Sequence, residues 1–263
     1  MIARLALLGV AVAAMSAMGC SMSDVAAAKP AAPLLRHAAN LRVFFGHQSV
    51  GNNILDGVRE VAPRLSIVHG EAPPAGPALV ETMIGRNEDP DSKLDHFARV
   101  MSAHGDDFDV AMFKFCYVDF SARTNVAALE DRYRRVMSDV TAAHGQTRIV
   151  HITVPLTITQ SGPKAMVKGW LGRPVWGALE NQKRSEFNDW LRTTYAGQPL
   201  FDLAAIESRT PSGQLATFQF GGRSYPMLYP EYSDDGGHLS DVGGRVVATA
   251  FVNMLESVWA GSR

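Results

Sequence analysis

The chain has 263 residues, 46% of them hydrophobic and 19% charged, with a formal net charge of −1. This is the composition of an ordinary globular protein, long enough for one large domain or two small ones. Nothing in the charge balance recruits nucleic acid or an anionic membrane.

The first twenty residues stand apart from the rest. Arg4 precedes a mostly apolar run from Leu5 to Met18, too short to span a bilayer comfortably but suited to the apolar core of a secretory signal, so export is expected. The run ends Ser16-Ala17-Met18-Gly19-Cys20, which resembles a bacterial lipoprotein cleavage site with Ala17 in place of the usual leucine. Lipidation of Cys20 is one outcome. Cleavage after Ala26-Ala27-Ala28 is the other, and it would release a soluble protein. Residues 21–36, rich in Ala, Pro and Ser, read as a flexible tether to a domain spanning 37–263. The remaining cysteine, Cys116, lies in an apolar segment and reads as a small core residue, with no partner for a disulfide.

The domain opens with Leu41 to Gly57. Val43-Phe44-Phe45 is an apolar run ended by Gly46, and Ile54, Leu55, Val58 and Val61 then recur at helical spacing, which predicts strand, tight turn and helix. Ser49 falls in that turn, where free backbone N–H groups and the helix dipole favour developing negative charge. It is placed either as a nucleophile or as a plain helix cap.

A short strand is predicted over Leu65 to Gly70, followed by a Pro- and Gly-punctuated loop through Pro77. Leu79 to Asp91 leads into a helix carrying Leu94, Phe97 and Met101 on one face and closed by Gly105. Phe108 to Val118 reads as a buried strand, Val126 to His144 as a helix, and Arg148 to Val154 as a β-branched strand stopped at Pro155. Leu156 to Pro174 has no period and reads as a lid over substrate or a plain surface excursion. A helix from Val175 to Tyr195 and a strand over Leu200 to Leu203 follow. Gln214 to Phe220 and Arg223 to Tyr229 flank Gly221-Gly222, which predicts a β-hairpin added to the main sheet. Asp241 to Trp259 is the last helix. This alternation predicts an α/β fold with a parallel sheet covered on both faces, and ligand crevices in such sheets open at the carboxyl ends of the strands.

Asp235-Gly236-Gly237-His238 stands directly before the last helix. Such a turn allows the carboxylate to fold back on one imidazole nitrogen, freeing the other to take a proton from a serine. His104 and His144 precede helix-ending glycines and complement the helix dipole, and His151 reads as a satisfied core histidine. His47 is left open between binding substrate, assisting a base and anchoring the turn. No His or Cys at ligand spacing accompanies Asp234, Asp235 and His238, so no metal is expected. The polar positions from Lys114 to Asp119 are placed to line the crevice.

A serine in the turn after the first strand, with D-x-x-H before the last helix, resembles the SGNH/GDSL hydrolases over roughly Leu41 to Trp259. The resemblance implies a three-layer α/β/α sandwich with a flavodoxin-like sheet, and hydrolysis of esters without a cofactor. It casts Ser49 as nucleophile, His238 as base and then acid, and Asp235, in preference to Asp234, as the orienting carboxylate. Two of the family's blocks differ. Gly-Asp-Ser is here Gly46-His47-Gln48-Ser49, and G-x-N-D after the middle strand is absent, so the family's oxyanion asparagine is missing. The N–H groups of Ser49 and Gly85 and the amide of Asn87 or Asn52 are the expected replacements. Substrates in view are esters of polysaccharide, peptidoglycan or lipid in or beyond the cell envelope. Acyl transfer on the same fold and a noncatalytic, glycan-binding envelope lipoprotein are the rival readings.

Overall fold

Side-chain alternation along the strands explains the layering. In the computed structural model, which describes residues 36–160, 175 and 177–260, strand β1 (Arg42–His47) sends Val43 and Phe45 to one side of a sheet and Phe44 to the other. β4 (Val110–Phe113) and β5 (Arg148–Ile152) alternate in the same way. With β2 (Ile67–His69), β3 (Ala78–Met83) and β6 (Leu200–Phe201) they form a six-stranded sheet of order β2-β3-β1-β4-β5-β6, parallel throughout. Without the short edge strand β2, this is the flavodoxin-like order.

Helices α1 (Val50–Val61) and α6 (Asp241–Ala260), with the short α5 (Leu203–Glu207), cover one face. Helices α2 (Pro90–His104), α3 (Val126–Ala143) and α4 (Ala178–Thr194) cover the other. The fold is therefore a three-layer α/β/α sandwich. On the first face α1 and α6 pack together at small residues: a Cβ on Gly57 would lie 2.5 Å from the Gly244 carbonyl oxygen and 2.8 Å from Ala248 Cβ. Glu256 of α6 accepts the N–H groups of Arg36, His37 and Ala38 at 2.8–3.1 Å, which ties the start of the described chain to the same helix.

Three expectations are corrected. The hairpin, β7 (Thr217–Phe220) and β8 (Arg223–Pro226), does not extend the main sheet. It is a separate antiparallel pair whose Phe218 packs with Met227 and with Ala178 at the start of α4. The strand foreseen over Phe108 to Val118 ends at Phe113. Phe115, Cys116 and Phe120 stay apolar because the loop after β4 is itself buried, and it includes a turn of 3-10 helix at Tyr117–Asp119. β3 was not foreseen. The export signal, the lipidation site Cys20 and the tether lie outside the described residues, and the Leu156–Pro174 excursion is described only as far as Gln160.

Candidate active site

β1 is the strand from which the chain crosses first toward β3 and then back to β4, so the switch point of the sheet lies at its carboxyl end. Ser49 stands there. Its backbone has φ +50° and ψ −105°, a left-handed conformation unusual for a residue with a side chain and costing about 1–3 kcal/mol. Ser49 occupies the N-cap position of α1, yet its side chain makes no capping bond. The hydroxyl turns instead to His238, with Oγ 2.5 Å from Nε2. The plain-cap alternative is thereby set aside.

His238 belongs to the glycine turn that feeds α6. Asp235 Oδ2 lies 2.6 Å from His238 Nδ1, while its Oδ1 accepts the N–H groups of Gly237 and His238 at 2.9 and 2.8 Å. Burial pushes the Asp235 carboxyl up, but the imidazole and these two N–H groups outweigh it and hold the group far below the usual carboxylate range. An anionic Asp235 keeps the proton of His238 on Nδ1, leaving the Nε2 lone pair to accept the Ser49 hydroxyl hydrogen. Asp234 is exposed and takes no part in this contact.

The other expected residues divide. Asn87 Oδ1 accepts from Lys93 Nζ at 3.2 Å, which leaves the Nδ2 hydrogens for another acceptor. Asn52 is exposed on α1, and its side chain makes no hydrogen bond to Ser49 or His238. Gly85 is corrected as an oxyanion donor. Its N–H points to His96 Nδ1 at 3.0 Å, and His96 Nε2 in turn faces Glu71 Oε1 at 2.8 Å. His47 is likewise corrected as a substrate or base residue. It is fully buried, stacked on Phe45, and bonded through Nε2 to Glu81 Oε2 at 2.9 Å, so it anchors the turn from beneath.

Burial pulls the His47 imidazole down to about 4 against the opposing bond from Glu81, and burial does the same to His151, also to about 4. His151 is satisfied in the core between the Tyr133 hydroxyl at 2.9 Å and Gln198 Oε1 at 3.3 Å. Both residues depress the folded-state pKa below the ordinary 6.5, so between pH 6.5 and about 4 the unfolded chain binds protons that the folded chain does not. Stability is retained above that window and lost as pH falls through it, by up to roughly 3 kcal/mol per histidine. Denaturant unfolding at pH 7 and near pH 4 checks this, and His151→Gln is expected to lose less stability on acidification than wild type. An equal loss in the variant rejects the assignment.

Sequence reasoning missed two groups that shape the site. Gln48 donates through Nε2 to the carbonyls of Ile84 and Gly85 at 3.0 and 2.8 Å, pinning the serine turn to the loop after β3. Beneath that loop lies a fully buried ion pair, Lys93 Nζ to Asp119 Oδ2 at 2.5 Å. Asp119 also accepts the N–H of Cys116 at 2.6 Å and the N–H of Glu88, itself at φ +66°, at 3.0 Å. The available signal was Asp119 in the loop after β4, the strand beside β1, with a lysine on the preceding helix α2, a pattern without local periodicity.

Beside Asp235 a cavity of about 780 Å³ opens, lined among others by Glu88, Tyr117, Phe120, Arg123 and Arg184. Arg184 is almost wholly buried at its edge. It donates to Tyr117 O at 3.0 Å, Thr157 Oγ1 at 2.9 Å and Asn181 Oδ1 at 2.5 Å, and burial pulls its pKa down to about 10.

No protein-family model and no curated protein matches the chain. Among solved structures it is similar to a protein assigned to the lipolytic G-D-S-L family from Desulfitobacterium hafniense, at 8% identity and a TM-score of 0.48 over 82% of this chain and 99% of that one. It is similar also to a carbohydrate esterase of family 3 from Talaromyces cellulolyticus, at 11% identity and a TM-score of 0.48 over 85% and 100%. The C-terminal domain of the Drosophila Oskar protein follows at 12% identity and a TM-score of 0.45 over 86% and 90%. These likenesses concern the chain fold alone.

Proposed function

We propose that this protein is a serine ester hydrolase working through an acyl-enzyme. The observation that carries the reading is the relay Ser49 Oγ, His238 Nε2, His238 Nδ1, Asp235 Oδ2, joined at 2.5 and 2.6 Å by two segments 189 residues apart at the switch point of the sheet. Ser49 Oγ attacks the ester carbonyl as its proton passes to His238 Nε2, and the carbonyl π pair moves onto oxygen. Asp235 stabilises the imidazolium. Collapse of the intermediate expels the alcohol, which takes the proton from Nε2, and water repeats the sequence to release the acid. The developing oxyanion is met by the backbone N–H of Ser49 at the amino end of α1.

Hydrolysis is favoured over acyl transfer because the dyad is open: the side chains of His238 and Asp235 are 43% and 57% exposed, so water reaches the base. The charged side chains that share the mixed lining of the neighbouring cavity, among them Glu88, Arg123 and Arg184, suit a polar leaving group such as a sugar hydroxyl. Export is part of the proposal on the strength of the amino-terminal apolar run, and intact mass of the mature protein tells lipid attachment at Cys20 from cleavage after Ala28.

A fluorophosphonate probe tests the chemistry. Wild type is expected to be labelled at Ser49 and Ser49→Ala to remain unlabelled, with both proteins folded. Absence of labelling in folded wild type across the pH range favours the glycan-binding reading instead.

A further inference from the structure

We infer that the Tyr117 hydroxyl is a catalytic hydrogen-bond donor to the oxyanion, filling the place left by the missing side-chain amide after β4; the inference rests on the ester-hydrolase reading above. Tyr117 follows β4, the strand paired with β1 across the switch point. Its Oη lies 3.4 Å from His238 Nε2, the same nitrogen that Ser49 Oγ meets at 2.5 Å, and its ring meets the imidazole edge-on at a centroid distance of 5.6 Å. No other phenol, and no asparagine amide, is hydrogen-bonded to this pair among the described residues.

The surroundings are built to hold that ring. Arg184 Nε donates to the Tyr117 carbonyl at 3.0 Å and its guanidinium carbon lies 5.8 Å from the ring centroid. On the other side Gly237 leaves the space the ring needs: a Cβ there would lie 2.8 Å from Tyr117 Cζ and 2.9 Å from Oη. The phenol therefore sits under the same glycine turn that orients His238. Burial first, and the Asp235 charge second, push its pKa up, so the hydroxyl keeps its proton and remains a donor.

Proton accounting assigns the role. In the resting enzyme Ser49 Oγ at 2.5 Å takes the Nε2 lone pair, so the Tyr117 hydroxyl, 3.4 Å from the same nitrogen, is held there only weakly. When Oγ bonds to the carbonyl carbon its proton goes to Nε2, the C=O π pair becomes a lone pair on oxygen, and the protonated Nε2 ceases to be an acceptor for Tyr117. The Tyr117 hydrogen bond then moves to the adjoining oxyanion, and Tyr117 keeps its proton throughout. Such an interaction is stronger in the transition state than in the ground state, and so acts on kcat.

Tyr117→Phe tests this, since it keeps the ring, the Gly237 fit and the edge contact while removing one hydroxyl. With p-nitrophenyl acetate, kcat is expected to fall about 30-fold to 300-fold, with KM, the thermal midpoint and the acid limb of the pH–rate profile unchanged. A variant turning over within about twofold of wild type overturns the inference and leaves the hydrolase reading standing, provided Ser49→Ala is inactive. A fall in kcat accompanied by a shifted acid limb assigns Tyr117 to positioning His238 and also overturns it. Wild type with no Ser49-dependent turnover removes both.

Discussion

His238→Ala is expected to lower kcat for ester hydrolysis by about 10⁴-fold or more. Without the imidazole the Ser49 hydroxyl has no acceptor for its proton at 2.5 Å, and a neutral hydroxyl is a poor nucleophile. The side chain is 43% exposed, with Tyr117 its one aromatic neighbour among the described residues, so truncation leaves no sealed cavity and the thermal midpoint is expected to move little. Steady-state kinetics with an activated ester, paired with a thermal melt, checks both halves. A folded variant within about tenfold of the wild-type rate rejects His238 as the base.

The second large effect is on stability. Asp119→Ala removes the counter-ion of a lysine that has no access to solvent, and it strips the acceptor from the N–H groups of Cys116 and Glu88. Breaking a buried pair on one side costs about 3–5 kcal/mol, which for a domain of this size lowers the midpoint by roughly 10 °C. The double variant Lys93→Met, Asp119→Ala is expected to be more stable than Asp119→Ala alone, because no charge is then stranded. If the single variant melts within about 2 °C of wild type, the pair is not the keystone of this loop.

The strand, turn and helix around Ser49 and the Asp235 to His238 turn were legible because each is encoded locally, by an apolar run, a glycine and a helical period within a dozen residues. Their meeting was foreseen only through resemblance. Other features depend on distant partners. β3 hides in Ala78–Met83 because Glu81 and Thr82 interrupt the apolar run, and both face partners outside the strand, His47 with His69 and the Gly70 carbonyl. Gly85 stands in the expected position, but His96 eleven residues on captures its N–H. His47, two residues before Ser49, is the last residue of β1, a strand buried on both faces, so its ring is held in the core against Phe45 and Glu81. For Tyr117 the sequence supplied only a place, at the carboxyl end of β4. The close fit against Gly237 that makes it a candidate appears only when residues 120 apart are brought together.

The tight contact of α1 with α6 at Gly57 and Gly244 has a consequence for the chemistry. Oxygen and nitrogen each sit on the doorstep of one of these two rods, so their gap is a matter of how the rods are registered against each other. Sliding one along the other by even an ångström would detune proton transfer while every cleft residue stayed in place. On the hydrolase reading, sensitivity thus extends to the helix seam at Gly57 and Gly244, and rate can be adjusted from there without altering what the cleft accepts.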